Sequence, residues 1–200
     1  MINNNIDFKQ YCSAYLPALI TWIPMVSLLA LPEFTLTYAI FQSILLSLWS
    51  YWGHRIAHDI SDSFPFNIFN PHVYIHHKKS IQLPRWLELT LEAIVNFFCF
   101  FIIIIIQEIL GIHVFSTSIV LASAFLYINI HILDYSLNGN EYHGLHHSRT
   151  FCNYSPEFYD TLFNTRCNPD TPYTDLSPEI LHGIFAFSAA GTLKLLLDLD

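Results

Sequence analysis

The sequence predicts an all-α integral membrane protein, with about four transmembrane helices and a histidine-rich cap on their cytosolic side. Three observations predict it. The 200 residues are 53% hydrophobic and only 12% charged, against about 25% charged in a soluble domain. Uncharged apolar runs long enough to cross a bilayer recur along the chain. Eight of the eleven histidines fall into three tight clusters, which those runs deliver to one side. At this length a single domain, 1–200, is the default.

The first run, 11–31, carries no charge and is closed by Pro32-Glu33. The second, 34–53, is also uncharged and ends in Trp49, Tyr51 and Trp52, aromatics that favour the membrane–water interface. The stretch from Leu91 to Leu133 is roughly twice a bilayer thickness as one helix. The Gly111-Ile112 pair therefore divides it into a hairpin, 91–110 and 113–133. Glu108, near that turn, needs the interface or a partner, because a bare charge in lipid is costly.

With the N-terminus cytosolic, the second run returns just before His54 and the hairpin brings His131 back to the same side. The cap then comprises 54–90 and 134–180. Lys9, Arg55, Lys78, Lys79, Arg85, Arg149, Arg166 and Lys194 all fall on that side, a positive-inside pattern. From Arg149 to Pro178 the chain is polar and broken by Pro156, Pro169, Pro172 and Pro178, hence loop with short helices. The segment 179–197 is apolar again but holds Lys194. It reads as an amphipathic helix lying on the membrane or the cap rather than a fifth span.

Several classes are disfavoured. A net charge of −8 argues against nucleic acid as a partner. The N-terminal residues lack the basic start of a signal peptide. With six glycines there is no nucleotide-binding glycine pattern, and no repeat stands out beyond the Ile102–Ile106 run. Cys12, Cys99, Cys152 and Cys167 show no C-x-x-C spacing. A Cys152–Cys167 disulfide is disfavoured because the topology puts both on the cytosolic side.

The clusters are His54 and His58; His72, His76 and His77; and His143, His146 and His147. Neutral imidazole is the commonest protein ligand for transition metals. His54 and His58, at i and i+4, share one helix face. In the other two clusters an adjacent pair follows a third histidine. On an α-helix one member of the pair shares a face with the third, and the other points about 100° away. Such an arrangement suits two neighbouring metal centres. His131, at the cytosolic end of its run, is a further candidate ligand. The nine together are about twice what one tetrahedral zinc needs. Asp59, Asp134 and Asp160 are candidate acceptors that would fix imidazole tautomers; each is otherwise an ordinary loop or cap carboxylate. His113, in the far turn, and His182, outside any cluster, read as hydrogen-bonded structural groups, and the aromatic-rich spans read as lipid-facing and packing surface.

H-x-x-x-H after an apolar run, then H-x-x-x-H-H, then H-x-x-H-H resembles the membrane-bound di-iron oxygenases. The stretch after the third box narrows this. Asn153-Tyr154, then Tyr159-Asp160-Thr161-Leu162-Phe163-Asn164-Thr165, is similar to the N-Y-G and W-D-x-x-F-G-T segments of the fatty acid hydroxylase superfamily. That superfamily includes sterol desaturases and sterol methyl oxidases. The resemblance runs from about Trp49 to Thr165, and His131 matches a family histidine upstream of the third box. Three departures stand out: Tyr159 replaces a tryptophan, Ser155 and Asn164 replace glycines, and box two has one residue more than the family's commonest form.

The resemblance implies a four-span fold whose catalytic cap holds two irons, with zinc as the metal that exchange during isolation would introduce. It implies O₂ and two electrons spent on an unactivated C–H bond of a membrane lipid: sterol, fatty acyl or related. No H-P-G-G haem motif and no flavin or NAD fingerprint is present. The electrons therefore call for a separate donor, cytochrome b5-like or ferredoxin-like. A desaturase or sequential oxidase on the same metals is the first alternative. A metal transporter or a non-catalytic metal- or lipid-binding protein is the second, and transport would require metal-binding residues within the spans, where mainly Gln42, Asn96 and a few hydroxyls are available. The membrane is the endoplasmic reticulum if the source is eukaryotic, the inner membrane if bacterial.

Overall fold

The computed structural model describes residues 8–30, 35–61, 63–66, 70–78, 81–171, 174 and 179–199. Pro32-Glu33, Lys79, Pro172 and Pro178 lie outside the described residues. Among the described residues every regular element is helical. In order they are α1 (Phe8–Ala30), α2 (Leu36–Asp59), the π-helix π1 (His72–His77), α3 (Arg85–Leu110), α4 (Thr117–Asn129), the π-helix π2 (Ile130–Leu137), α5 (Glu141–Ser148), α6 (Glu157–Leu162) and α7 (Glu179–Leu197).

The hairpin between α3 and α4 turns at Gly111, as the sequence predicts. Gly111 takes the left-handed conformation, φ 63° and ψ 29°, which glycine adopts without a Cβ penalty. Buried Gln107 satisfies the turn's backbone. Its Oε1 accepts from Val114 N–H at 2.9 Å and Phe115 N–H at 2.6 Å, and its Nε2 donates to Phe115 O at 3.1 Å. From α2, Gln42 Oε1 accepts Ser116 N–H at 2.8 Å, which satisfies a free amide at the start of α4. Glu108 finds a partner at the exposed turn, His113 Nδ1 at 3.8 Å.

α4 is the central helix, packed against α1, α2, α3 and α7. Its buried residues are small or medium-sized, Ser118, Ile119, Val120, Ala122 and Ala124 among them. With Ala30, Ala39, Ala186 and Ala190 they let helices approach closely. The packing leaves the C-terminal end of α2, the start of α3 and all of π2 at one end of the bundle. The candidate site is there.

Among the described residues, three helices are long and apolar enough to cross a membrane: Arg85–Leu110, Thr117–Leu137 and Glu179–Leu197. Two expectations change. α1 and α2, expected as the spans 11–31 and 34–53, are not among the three: the described apolar part of α1 is the shorter Tyr15–Ala30, and in α2 Gln42, Ser43, Ser47 and Ser50 dilute the apolar character. α7, expected as an amphipathic surface helix, packs one face along α1 and α4 and is itself apolar enough to span a membrane. Its Gly183 and Gly191 approach Met25 and Leu29 of α1. Lys194 Nζ donates to Leu29 O at 2.9 Å and so satisfies a carbonyl at the C-terminal end of α1. Lys194 therefore lies at the end of the bundle remote from the histidines, an exception to the predicted one-sided cation pattern.

Candidate metal centre

The fold brings all nine candidate histidines to one end of the bundle, and their donor atoms fall into groups. His54, His58, His72, His77 and His146 form the first. His76, His143 and His147 form the second, and His76 also groups with Glu92 and His131. In each group the donor atoms lie within 4.8 Å of one another. His113 and His182 are in none.

Local winding explains the partition. On α5, His143 and His147 are one α-turn apart, and their Nε2 atoms stand 3.0 Å apart. His146 points to the other group, as α-helical spacing predicts. Box two departs from that spacing because it is a π-helix, closed by Lys78 N–H donating to Val73 O at 3.0 Å. Bonding from i to i+5 puts more residues in each turn. His72 therefore aligns with His77, Nε2 to Nε2 at 3.2 Å, and His76 falls to the second group.

The first group carries its own evidence for a cation. His54 Nδ1–H donates to Tyr154 O, and His146 Nδ1–H donates to Cys152 O at 2.6 Å. Those bonds fix the tautomer, so each Nε2 bears a lone pair. Yet the two Nε2 atoms stand 3.1 Å apart. His146 Nε2 is also 3.1 Å from His58 Nε2, and His72 Nε2 is 3.0 Å from His54 Nε2. Protonation does not relieve the crowding. Burial lowers the His146 pKa to about 3 and that of His58 to about 4, the latter against a raising pull from Asp59. Burial, reinforced by neighbouring imidazoles, also holds His72, His77 and His143 well below the usual range. A shared metal ion satisfies converging lone pairs.

The spacing also suits a shared ion. With metal–nitrogen bonds of about 2.1 Å, donors at right angles stand about 3.0 Å apart and tetrahedral donors about 3.4 Å apart. Four of the donor pairs in the first group stand 3.0–3.2 Å apart, a separation at which two nitrogens can bind one ion. An imidazole-rich set of this kind suits iron as well as zinc.

The family model of the fatty acid hydroxylases matches residues 39–165. The chain belongs to the fatty acid hydroxylase family. No curated protein and no solved structure matches it. In this fatty acid hydroxylase family member the match includes every histidine of the three groups, and Glu92 as well.

The three aspartates are placed differently from the expectation. None accepts from an imidazole. Asp59 is exposed at the end of α2 and reaches His58 only through space. Asp134 accepts from Asn140 Nδ2 at 3.1 Å, while Asn140 Oδ1 caps α5 by accepting His143 N–H at 3.1 Å. Asp160 is fully buried and binds the loop that orients the rings. It accepts from Tyr154 N–H at 2.9 Å, Ser155 N–H at 2.8 Å, Thr165 Oγ1 at 2.6 Å and Tyr142 OH at 3.0 Å. Burial raises its pKa and these donors oppose the rise. The tautomer-fixing acceptors are thus backbone carbonyls, which residue type alone does not reveal.

Two features run against the sequence expectation. Glu92 lies inside the first predicted hairpin helix, and its carboxylate reaches His76 and His131 at 3.1 Å each. The signal was there: a carboxylate in an apolar span needs a partner. The second is the Cys152–Cys167 disulfide, with Cα atoms 5.0 Å apart. The cytosolic topology disfavours it, but the fold sets the two cysteines side by side. A cleft of about 290 Å³ opens beside His143 and His147, lined also by Tyr135, Gly144 and Leu145.

Proposed function

We propose that this chain is an O₂-dependent oxygenase that hydroxylates an unactivated C–H bond of a membrane lipid at a di-iron site. The observation that carries the reading is the His54–His146 pair, two lone-pair nitrogens 3.1 Å apart inside a ring of five imidazoles. Membership of the fatty acid hydroxylase family supports the substrate class. When bound, the two irons supply activation of O₂ with two external electrons. We assign His54, His58, His72, His77 and His146 to one iron, and His76, His143 and His147 to the other, with His131 beside the second.

The chain's own residues do the rest. Carbonyls of Cys152 and Tyr154 aim two rings. Burial of His54, His72, His76, His131, His143 and His146 limits the access of water to the site. The cleft beside His143 gives a lipid segment a way in. Electrons arrive from a separate donor of the cytochrome b5 or ferredoxin type. Desaturation is the alternative outcome at the same site and is separated by product analysis.

The loop and cap cations Arg55, Lys78, Arg85, Arg149 and Arg166 support a cytosolic site, in the endoplasmic reticulum or a bacterial inner membrane. The Cys152–Cys167 disulfide favours the opposite, oxidising side. Labelling of single cysteines in sealed vesicles distinguishes the two.

The test is metal content of the detergent-purified protein by plasma mass spectrometry, followed by a lipid-product screen with O₂ and a reductant. We expect about two irons per chain, lost in His143→Ala/His146→Ala/His147→Ala and retained in His113→Ala. Metal-free wild-type protein, or a triple variant with undiminished iron, overturns the reading.

A further inference from the structure

The two histidine groups are unequal. The first offers five imidazoles and the second three, so the second is short of donors if both hold the same metal. Glu92 stands beside it and shares His76 with it. Its side chain is 2% exposed, in a helix apolar enough to cross a membrane. A carboxylate there is costly unless its charge is matched. Arg85 does not match it, since Arg85 pairs with Glu88 at 3.0 Å. Among the described residues the aligned hydrogen-bond donor to Glu92 is neutral: Ser136 Oγ, at 3.0 Å from Oε1 and 3.3 Å from Oε2.

The histidine contacts to Glu92 are close without being hydrogen bonds. His76 Nδ1 lies 3.1 Å from Oε2, and His131 Nε2 lies 3.1 Å from Oε1. Both nitrogens of both rings are nevertheless buried without an aligned hydrogen-bond partner. A carboxylate that merely oriented two neutral imidazoles would receive their N–H groups head-on. Three donor atoms crowd together here, within 4.8 Å, around a negative charge and unshared nitrogen lone pairs. That is the arrangement of ligands around a cation.

We propose that Glu92 is a direct ligand of the second metal centre, so that one iron is bound by imidazoles alone and the other carries a carboxylate. The inference rests on the di-iron reading above. The carboxylate adds one negative charge and a harder oxygen donor to one centre only, which makes the two irons inequivalent.

The experiment is iron content and Mössbauer spectroscopy of ⁵⁷Fe-enriched full-length protein, with Glu92→Gln and Glu92→Asp beside the wild type. The wild type is expected to hold about two irons in two distinct quadrupole doublets of equal area. Glu92→Gln, nearly isosteric, is expected to fall to about one iron, with one doublet lost and the other unmoved. Glu92→Asp is expected to keep two irons with only one doublet shifted. Two irons with unchanged doublets in Glu92→Gln overturn the proposal, as does loss of both irons from a variant that keeps its helical circular dichroism. If Glu92→Gln does not fold, Glu92→Asp decides, and an unshifted pair of doublets overturns it. The di-iron reading fails separately, through an iron-free wild type. The lipid reading fails separately too, through a two-iron wild type that oxidises no lipid.

Discussion

A single residue, Tyr154, links the Asp160 carboxylate to the His54 ring. Tyr154 donates its N–H to Asp160 Oδ1 at 2.9 Å, and the same residue's carbonyl accepts from His54 Nδ1. Asp160 touches no imidazole, yet it governs where one points.

Replacing Asp160 tests that link. Asp160→Asn keeps the shape but turns an acceptor for four donors into a group with one amide face of the wrong sense. The expected loss is about 3 kcal/mol of stability, from charged hydrogen bonds left unmade. Metal occupancy should drop with it. An unaltered melting temperature and full metal content would show that the loop holds its course without the charge.

The disulfide is the second test. Alkylation of denatured, non-reduced protein should label Cys12 and Cys99 alone, since Cys152 and Cys167 are joined. The bridge closes 15 residues, so the Cys152→Ser/Cys167→Ser variant should lose about 3 kcal/mol. Four labelled thiols in protein taken directly from cells would mean that the bridge does not form there.

Asn164 makes a prediction of opposite sign. It holds φ 56°, in the region that costs side chains energy, and its side chain is exposed. Asn164→Gly should raise stability by up to about 1 kcal/mol, or about 2–4 °C in a chain of this size. Metal content should stay as it is. A fall in melting temperature would mean that the Asn164 side chain contributes more than its backbone costs.

Gly144 tests the cleft. It lines the space beside His143 and His147, and a Cβ added there meets nothing within 4 Å. Gly144→Leu should therefore fold and keep its metal while narrowing the way in. Turnover of the lipid found in the product screen should fall on the order of tenfold or more. Unchanged kcat/KM would place the entry elsewhere.

Much of this was legible before any coordinates. The three boxes are visible as clusters, the Gly111 turn follows from the length of the apolar run, and the division of His143, His146 and His147 between two groups follows from α-helical periodicity, whereas that of His72, His76 and His77 does not. Ser155 and Asn164, odd in place of glycines, sit at φ 60° and 56°, which explains what a glycine would do there. Glu92 was hidden because an apolar run absorbs one carboxylate without losing its character. By sequence Lys194 counts among the cytosolic-side cations, although it spends its ammonium on the Leu29 carbonyl. Tyr154 and Cys152 act through their carbonyls, and every residue has one.

The π-helix at His72–His77 changes what a histidine motif measures. In the family's commoner spacing the first and last histidines of box two are four apart, one turn of α-helix. In this chain they are five apart, one turn of π-helix. The additional residue is taken up by rewinding, and the outer imidazoles return to the same angular phase. In this chain the box keeps the phase of its outer histidines rather than a letter count. A pattern that fixes the gap would discard chains whose cage is intact, and one that allows the gap to breathe by a residue would find them.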